Sequence, residues 1–115
     1  MSRDTLFMLD PNSLKAEGKP RFCPDCAVVA GYLSFYPAVE SGLTVRFVEP
    51  SRPRLEIVAL LGEDNQCAPV LVLDRDSVPA QDIACNEANG NRFINDPKAI
   101  LAYLGAKHPA AGIPF

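Results

Sequence analysis

A chain of 115 residues suits one domain with one core, and a makeup of 48% hydrophobic and 22% charged residues excludes a disordered chain. The formal charge of −3, with Lys and Arg scattered, leaves no basic stripe for nucleic acid. No apolar run approaches the ~18–20 residues that span a membrane, and the stretch opening on Met1 is too short for a signal peptide. A cytoplasmic location is therefore expected. In that compartment four cysteines point to redox or metal chemistry more than to a disulfide framework.

The first element is Thr5-Leu6-Phe7-Met8-Leu9, an unbroken apolar run stopped by Asp10-Pro11, which reads as a strand covered on both faces. Residues 11–22 contain Asn12, Gly18, Lys19 and Pro20 and read as a long surface loop, able to shield part of the dithiol segment it leads into. That segment is Phe22-Cys23-Pro24-Asp25-Cys26. A charge-free run from Ala27 to Val39 comes next and reads as a buried helix ending near Pro37. Pro24 then falls in the first turn, where a missing N–H is harmless. Cys23 is placed at or just before the helix N-terminus, whose free N–H groups and partial positive charge favour a thiolate. Cys26, one turn in, is within reach to close a small disulfide.

Leu43 to Val48 alternates, with Leu43, Val45 and Phe47 on one face, as in a half-buried strand near a sheet edge. Ser51 to Pro53 looks like a helix start and Gly62 like its stop, with Ile57, Val58, Leu60 and Leu61 forming the apolar face. Val70-Leu71-Val72-Leu73 is a second fully apolar strand, entered through Cys67-Ala68-Pro69. The segment 74–91 gives no clear pattern before the turn signal Asn89-Gly90, which launches a last strand around Arg92 to Ile94. Asp96-Pro97 starts the closing helix, buried through Ile100, Leu101 and Leu104 and ended by His108-Pro109. The order β-α-β-α-β-β-α predicts one α/β domain over 1–115, a mixed sheet with helices on both faces. Cys23 would sit at the carboxyl end of the first strand, where nucleophiles of such sheets are found.

Cys-x-x-Cys serves three chemistries: thiol–disulfide exchange, half of a zinc site, or two buried small hydrophobes. Cys67 and Cys85 supply no second such pair, so no metal is expected, and a site of all four remains a weaker alternative. Asp25, between the thiols, opposes a thiolate and reads as a solvated first-turn acid. His108, at a helix end, is given no catalytic role.

Two features, Cys23-Pro24-Asp25-Cys26 opening a helix and Ala68-Pro69 before an apolar strand, resemble the thioredoxin-like superfamily over nearly the whole chain. The stretch from Phe93 to Leu104 looks like the last strand and helix of glutaredoxins and of glutathione-transferase N-terminal domains; the transferases' helical second domain has no counterpart. Cys-Pro-Asp-Cys also occurs in some thioredoxin-related disulfide reductases, which have Trp where this chain has Phe22. As a whole the chain most resembles a small bacterial thioredoxin-like family known as a domain of unknown function.

The resemblance implies a thioredoxin-like fold, a cis Pro69 facing the dithiol, and an extended substrate pairing with the backbone of Ala68. It also implies that Cys67 lies near Cys23, as a disulfide partner, a metal ligand or a bystander. Glutathione is a candidate co-substrate. Glutaredoxins usually carry a basic residue where this chain has Pro20, flanked by Lys19 and Arg21. Asn95 and Asp96 stand where the transferases hold a ligand ammonium, although Asp96 can equally be a helix cap, and Arg54 with Arg52 can bind a carboxylate or face solvent.

The implied activity is thiol–disulfide oxidoreduction on protein or small-molecule disulfides, with Cys23 as nucleophile and Cys26 as resolving thiol and no bound cofactor. The alternatives are a non-catalytic module holding glutathione or a metal, and a dimeric interaction protein with incidental thiols. A helix without charge from Ala27 to Val39 needs its outer face covered, by the 11–22 loop or by a second copy in a homodimer.

Overall fold

A strand with apolar side chains on both faces needs cover on both sides, and β1 (Thr5–Leu9) has it: Leu6 is fully buried and Phe7, Met8 and Leu9 nearly so. The computed structural model of the chain describes residues 3–13, 15–78, 83–108 and 111. Expectations for Met1, and for Pro109 as a helix stop, lie outside those residues. The 11–22 loop contains a small hairpin, β2 (Lys15–Ala16) with β3 (Lys19–Pro20), turned by Glu17 and Gly18 at positive φ. Such a short ladder has no hydrophobic periodicity to betray it.

Helix α1 (Pro24–Phe35) opens on the proline, and Pro37 ends it. Pro37 then takes the first position of a further short helix, α2 (Pro37–Ser41), the one helical site where its missing donor is no loss. Strand β4 (Thr44–Val48) runs parallel to β1, pairing Thr5 with Thr44 and Leu9 with Val48, and is an edge of the sheet. Helix α3 (Leu55–Leu61) starts later than Ser51–Pro53 suggests: Arg54, with a non-helical ψ of 87°, is its N-cap, and Gln66 Oε1 satisfies the Arg54 N–H at 2.8 Å. Gly62, at φ 85°, stops it.

Strand β5 (Val70–Val72) is antiparallel to β1, with Phe7 opposite Val70 and Thr5 opposite Val72. β7 (Asn91–Ile94) is antiparallel to β5. A strand with no sequence signal, β6 (Asn86–Ala88), pairs with β7 across the expected Asn89-Gly90 turn, both residues at positive φ. Helix α4 (Pro97–Lys107) closes the chain, capped by Asp96 and packed against α1. The result is an α/β fold with a mixed five-stranded sheet, β4-β1-β5-β7-β6, and helices on both faces. One buried cluster joins sheet and helices. Tyr103 is fully buried beside the expected Ile100, Leu101 and Leu104.

Two burial expectations are corrected. Phe47 is 54% exposed, although Leu43 on the same face of the alternating run is buried; the edge strand runs out past its cover there. The 11–22 loop does not cover the outer face of α1: only Cys26, Val29 and Leu33 are buried, while Val28 and Phe35 stand 53% and 80% exposed. Among the described residues no helix is long and apolar enough to cross a membrane.

Candidate functional site

The register puts two separated segments at one end of the sheet. α1 begins beyond the carboxyl end of β1. Because β5 runs back antiparallel with Val70 opposite Phe7, the segment Cys67-Ala68-Pro69 enters at that same end. The Ala68–Pro69 peptide is cis, as is Arg52–Pro53, which the sequence did not suggest.

Cys23 is the N-cap of α1. Its Sγ accepts a hydrogen bond from the N–H of Cys26 at 3.2 Å, taking the place an Asp or Ser oxygen fills in most caps. It is partly exposed, and Cys26 beneath it is buried. Burial first, then the hydrogen bond with Cys23, push the Cys26 thiol up to about 12; the charges of Cys23 and Asp25 add to this, and a backbone hydrogen bond at Leu9 opposes it. One sulfur is thus presented at a helix N-terminus, while the other keeps its proton. Asp25 lies exposed in the first turn.

Arg54 joins the two loops that flank the thiols. Its Nε and Nη2 donate to Pro50 O at 3.1 and 2.9 Å, and its Nη1 donates to Gln66 O at 2.7 Å. Gln66, buried next to Cys67, accepts at its side-chain oxygen from Arg54 N. The guanidinium does not simply face solvent. Burial lowers its pKa, Arg52 adds to that, and the nearby sulfurs of Cys67, Cys23 and Cys26 pull the other way. The charges of all three sulfurs thus act on one cation, and Cys67, itself exposed, lies at the dithiol end.

Cys85 does not. It lies in the surroundings of Asp4 and Arg92, at the amino end of β1, and burial raises its pKa. Among the described residues no three His, Cys, Asp or Glu side chains are grouped to hold a metal. Asp96 spends a carboxylate oxygen on the cap of α4, accepting from Ala99 N at 2.9 Å, and Asn95 beside it is exposed.

Beside the dithiol is a pocket of about 200 Å³ that sequence reasoning missed. Both Cys23 and Cys26 line it, with Met8 and Leu9 from β1, the exposed ring of Phe22, and Phe47 from the edge strand. The signal for it was Phe47 itself, a large apolar residue on an edge strand; alternation assigned that residue to the core instead.

The model of a family described as "Protein of unknown function (DUF3088)" matches residues 3–112. No curated protein and no solved structure matches.

Proposed function

We propose that this chain, which belongs to the DUF3088 family, is a thiol–disulfide oxidoreductase of thioredoxin-like architecture. The observation that carries the reading is the contrast within the dithiol. Cys23 caps a helix and is accessible, and Cys26, one turn further in, is buried with its pKa pushed up. The Cys23 thiolate attacks one sulfur of a substrate disulfide, and the other sulfur leaves as a thiolate. Cys26, losing its proton as it reacts, then attacks the Cys23 sulfur of the mixed disulfide and releases the second substrate thiol. Two electrons pass from the dithiol to the substrate, and the protein is left with a Cys23–Cys26 disulfide. An external thiol reductant, glutathione being the candidate, restores it. Ala68, held in place by the buried Pro69, would seat the substrate, and Arg54 would hold that loop and favour the negative charge that develops on sulfur.

A further proposal concerns partners. The exposed Val28 and Phe35 on α1 support a homodimer built on that helix; sedimentation of Phe35→Glu against the parent chain tests it, with a smaller species expected for the variant.

The experiment for the main reading uses single-cysteine variants and a small disulfide. Cys23→Ser is expected to lower turnover at least about 100-fold, as loss of a covalent nucleophile does. Cys26→Ser is expected to accumulate the Cys23 mixed disulfide, seen by intact mass. Undiminished turnover in Cys23→Ser would overturn the assignment. If Cys23→Ser instead keeps a bound ligand while the parent shows no turnover, the non-catalytic module replaces it.

A further inference from the structure

The pocket beside the dithiol says what kind of disulfide it takes, on the premise that the dithiol exchanges at all. Its α1 wall is made of Ala27 and Ala30, small residues that leave the space open. Asp10 is the one charged side chain among its lining residues, and that carboxylate is turned to its own loop, accepting from Asn12 N at 2.9 Å. A glutathionyl group brings two carboxylates, an ammonium and two amide links. Here it would meet few hydrogen-bond partners, and stripping polar groups of water without replacement is costly. A protein cystine has a related difficulty, since its sulfur is one methylene from a polar backbone. An apolar ring bonded to sulfur has neither problem. The volume, about 200 Å³, suits one ring-sized group, given that an apolar cavity of roughly 150 Å³ holds benzene.

We propose that the pocket between Phe22 and Phe47 is the substrate subsite, and that the substrate is a low-molecular-weight disulfide carrying a compact, uncharged apolar or aromatic group next to the sulfur. Because both thiols line the pocket, a group seated there is attached to the sulfur that bonds to Cys23. Cys23 forms the mixed disulfide with that sulfur, and the other thiol departs. Cys26 then releases the apolar thiol into the pocket it already occupies. The two electrons come from the dithiol, and no further reactant is needed for one turnover.

The test is single-turnover oxidation of the reduced full chain by four disulfides. These are neutral 4,4′-dithiodipyridine, carboxylated 5,5′-dithiobis(2-nitrobenzoate), oxidised glutathione, and the disulfide dimer of a Phe-Cys dipeptide. Each rate is divided by the same reagent's rate with free N-acetylcysteine, which removes intrinsic reactivity. The neutral aromatic disulfide is expected to lead the other three by about tenfold or more, the scale on which apolar pockets discriminate. Ala30→Leu, which fills the pocket from an exposed helix position, and Phe47→Ala, which removes one wall, are each expected to erase most of that lead. Equal normalised rates, a lead for glutathione or the dipeptide, or a lead that survives both substitutions would overturn the subsite. If none of the four oxidises the dithiol, the oxidoreductase reading itself fails and takes the subsite with it.

Discussion

The two ends of β1 are built from the same kinds of residue and use them in opposite ways. At the carboxyl end, Arg54 bridges Pro50 and Gln66, within electrostatic range of the sulfurs of Cys23, Cys26 and Cys67. At the amino end, Arg92 donates to the carbonyls of Asp74 and Ser77 at 2.8 and 3.0 Å. There Asp4, buried, accepts from Asp74 N and from the Ser77 hydroxyl. Each end has a cysteine and a buried weak acid, Cys26 at one and Tyr103 at the other. The difference lies in what is left over. The polar groups of the amino end are turned inward on one loop, and its cysteine is a partly buried thiol whose pKa is raised. The carboxyl end leaves Cys23 partly exposed at a helix N-terminus, next to an apolar pocket. An arginine and a cysteine do not make a site by composition. What makes one here is a helix that begins where the strand ends.

The largest effect expected from this comparison is alkaline loss of stability, to which both ends contribute. The Cys26 thiol goes from 9.0 to about 12 in the fold, and the Tyr103 phenol from 10.0 to about 12, both chiefly through burial. Between those values the unfolded chain has released the protons and the folded chain still holds them. The stabilisation is complete below about pH 9 and is lost as pH rises towards 12, with each group contributing up to about 1.4 kcal/mol per pH unit. Urea unfolding from pH 8 to 11 checks this. Cys26→Ala and Tyr103→Phe should each flatten the decline, the first over the wider range; an unchanged slope in both variants contradicts it.

Next in size is the pair of arginine substitutions. Arg54→Met and Arg92→Met each remove charge-assisted, part-buried hydrogen bonds and should cost about 1.5–3 kcal/mol. Only Arg54→Met should also slow disulfide exchange in the fraction that stays folded, since of the two only Arg54 is within electrostatic range of the Cys23–Cys26 dithiol, and Arg54→Lys should restore part of the rate. Equal effects on exchange from both variants would erase the distinction between the ends.

The smallest effect is expected at Tyr103. Its hydroxyl is buried without a hydrogen-bond partner among the described residues. Tyr103→Phe removes an unsatisfied polar group while keeping the ring, so at neutral pH the variant should match the parent or exceed it by about 1 kcal/mol. A clear loss of stability would mean that the hydroxyl has a partner.

The strands of the central sheet were legible because their chemistry is local. Runs such as Thr5–Leu9 and Val70–Leu73 are apolar on successive residues, and Asn89-Gly90 suits a turn that needs positive φ twice. Proline marks the start of α1, α2 and α4 for an equally local reason. What stayed hidden depends on partners distant in sequence. The Arg54–Gln66 bond spans twelve positions, and no pattern within the helix announces it. β6 has the composition of a loop, Asn-Glu-Ala, and is a strand because β7 offers it an edge. The uniformly apolar α1 could not reveal its buried stripe, since every face looked alike. For the site, Cys23, Cys26, Pro69 and Cys67 were readable from motif and resemblance. The pocket was not, because it depends on a helix, a loop and an edge strand meeting at Phe22 and Phe47.

The most direct measurement of the central claim is a redox titration of the full chain in thiol–disulfide buffers, quenched by alkylation and read by intact mass and peptide mapping. One reversible two-electron transition is expected, forming a Cys23–Cys26 disulfide, between about −120 and −270 mV as dithiol oxidoreductases span, with Cys85 alkylated throughout. Thiols at 23 and 26 that never pair, or a stable bond from Cys23 to Cys67 in place of Cys26, would contradict it.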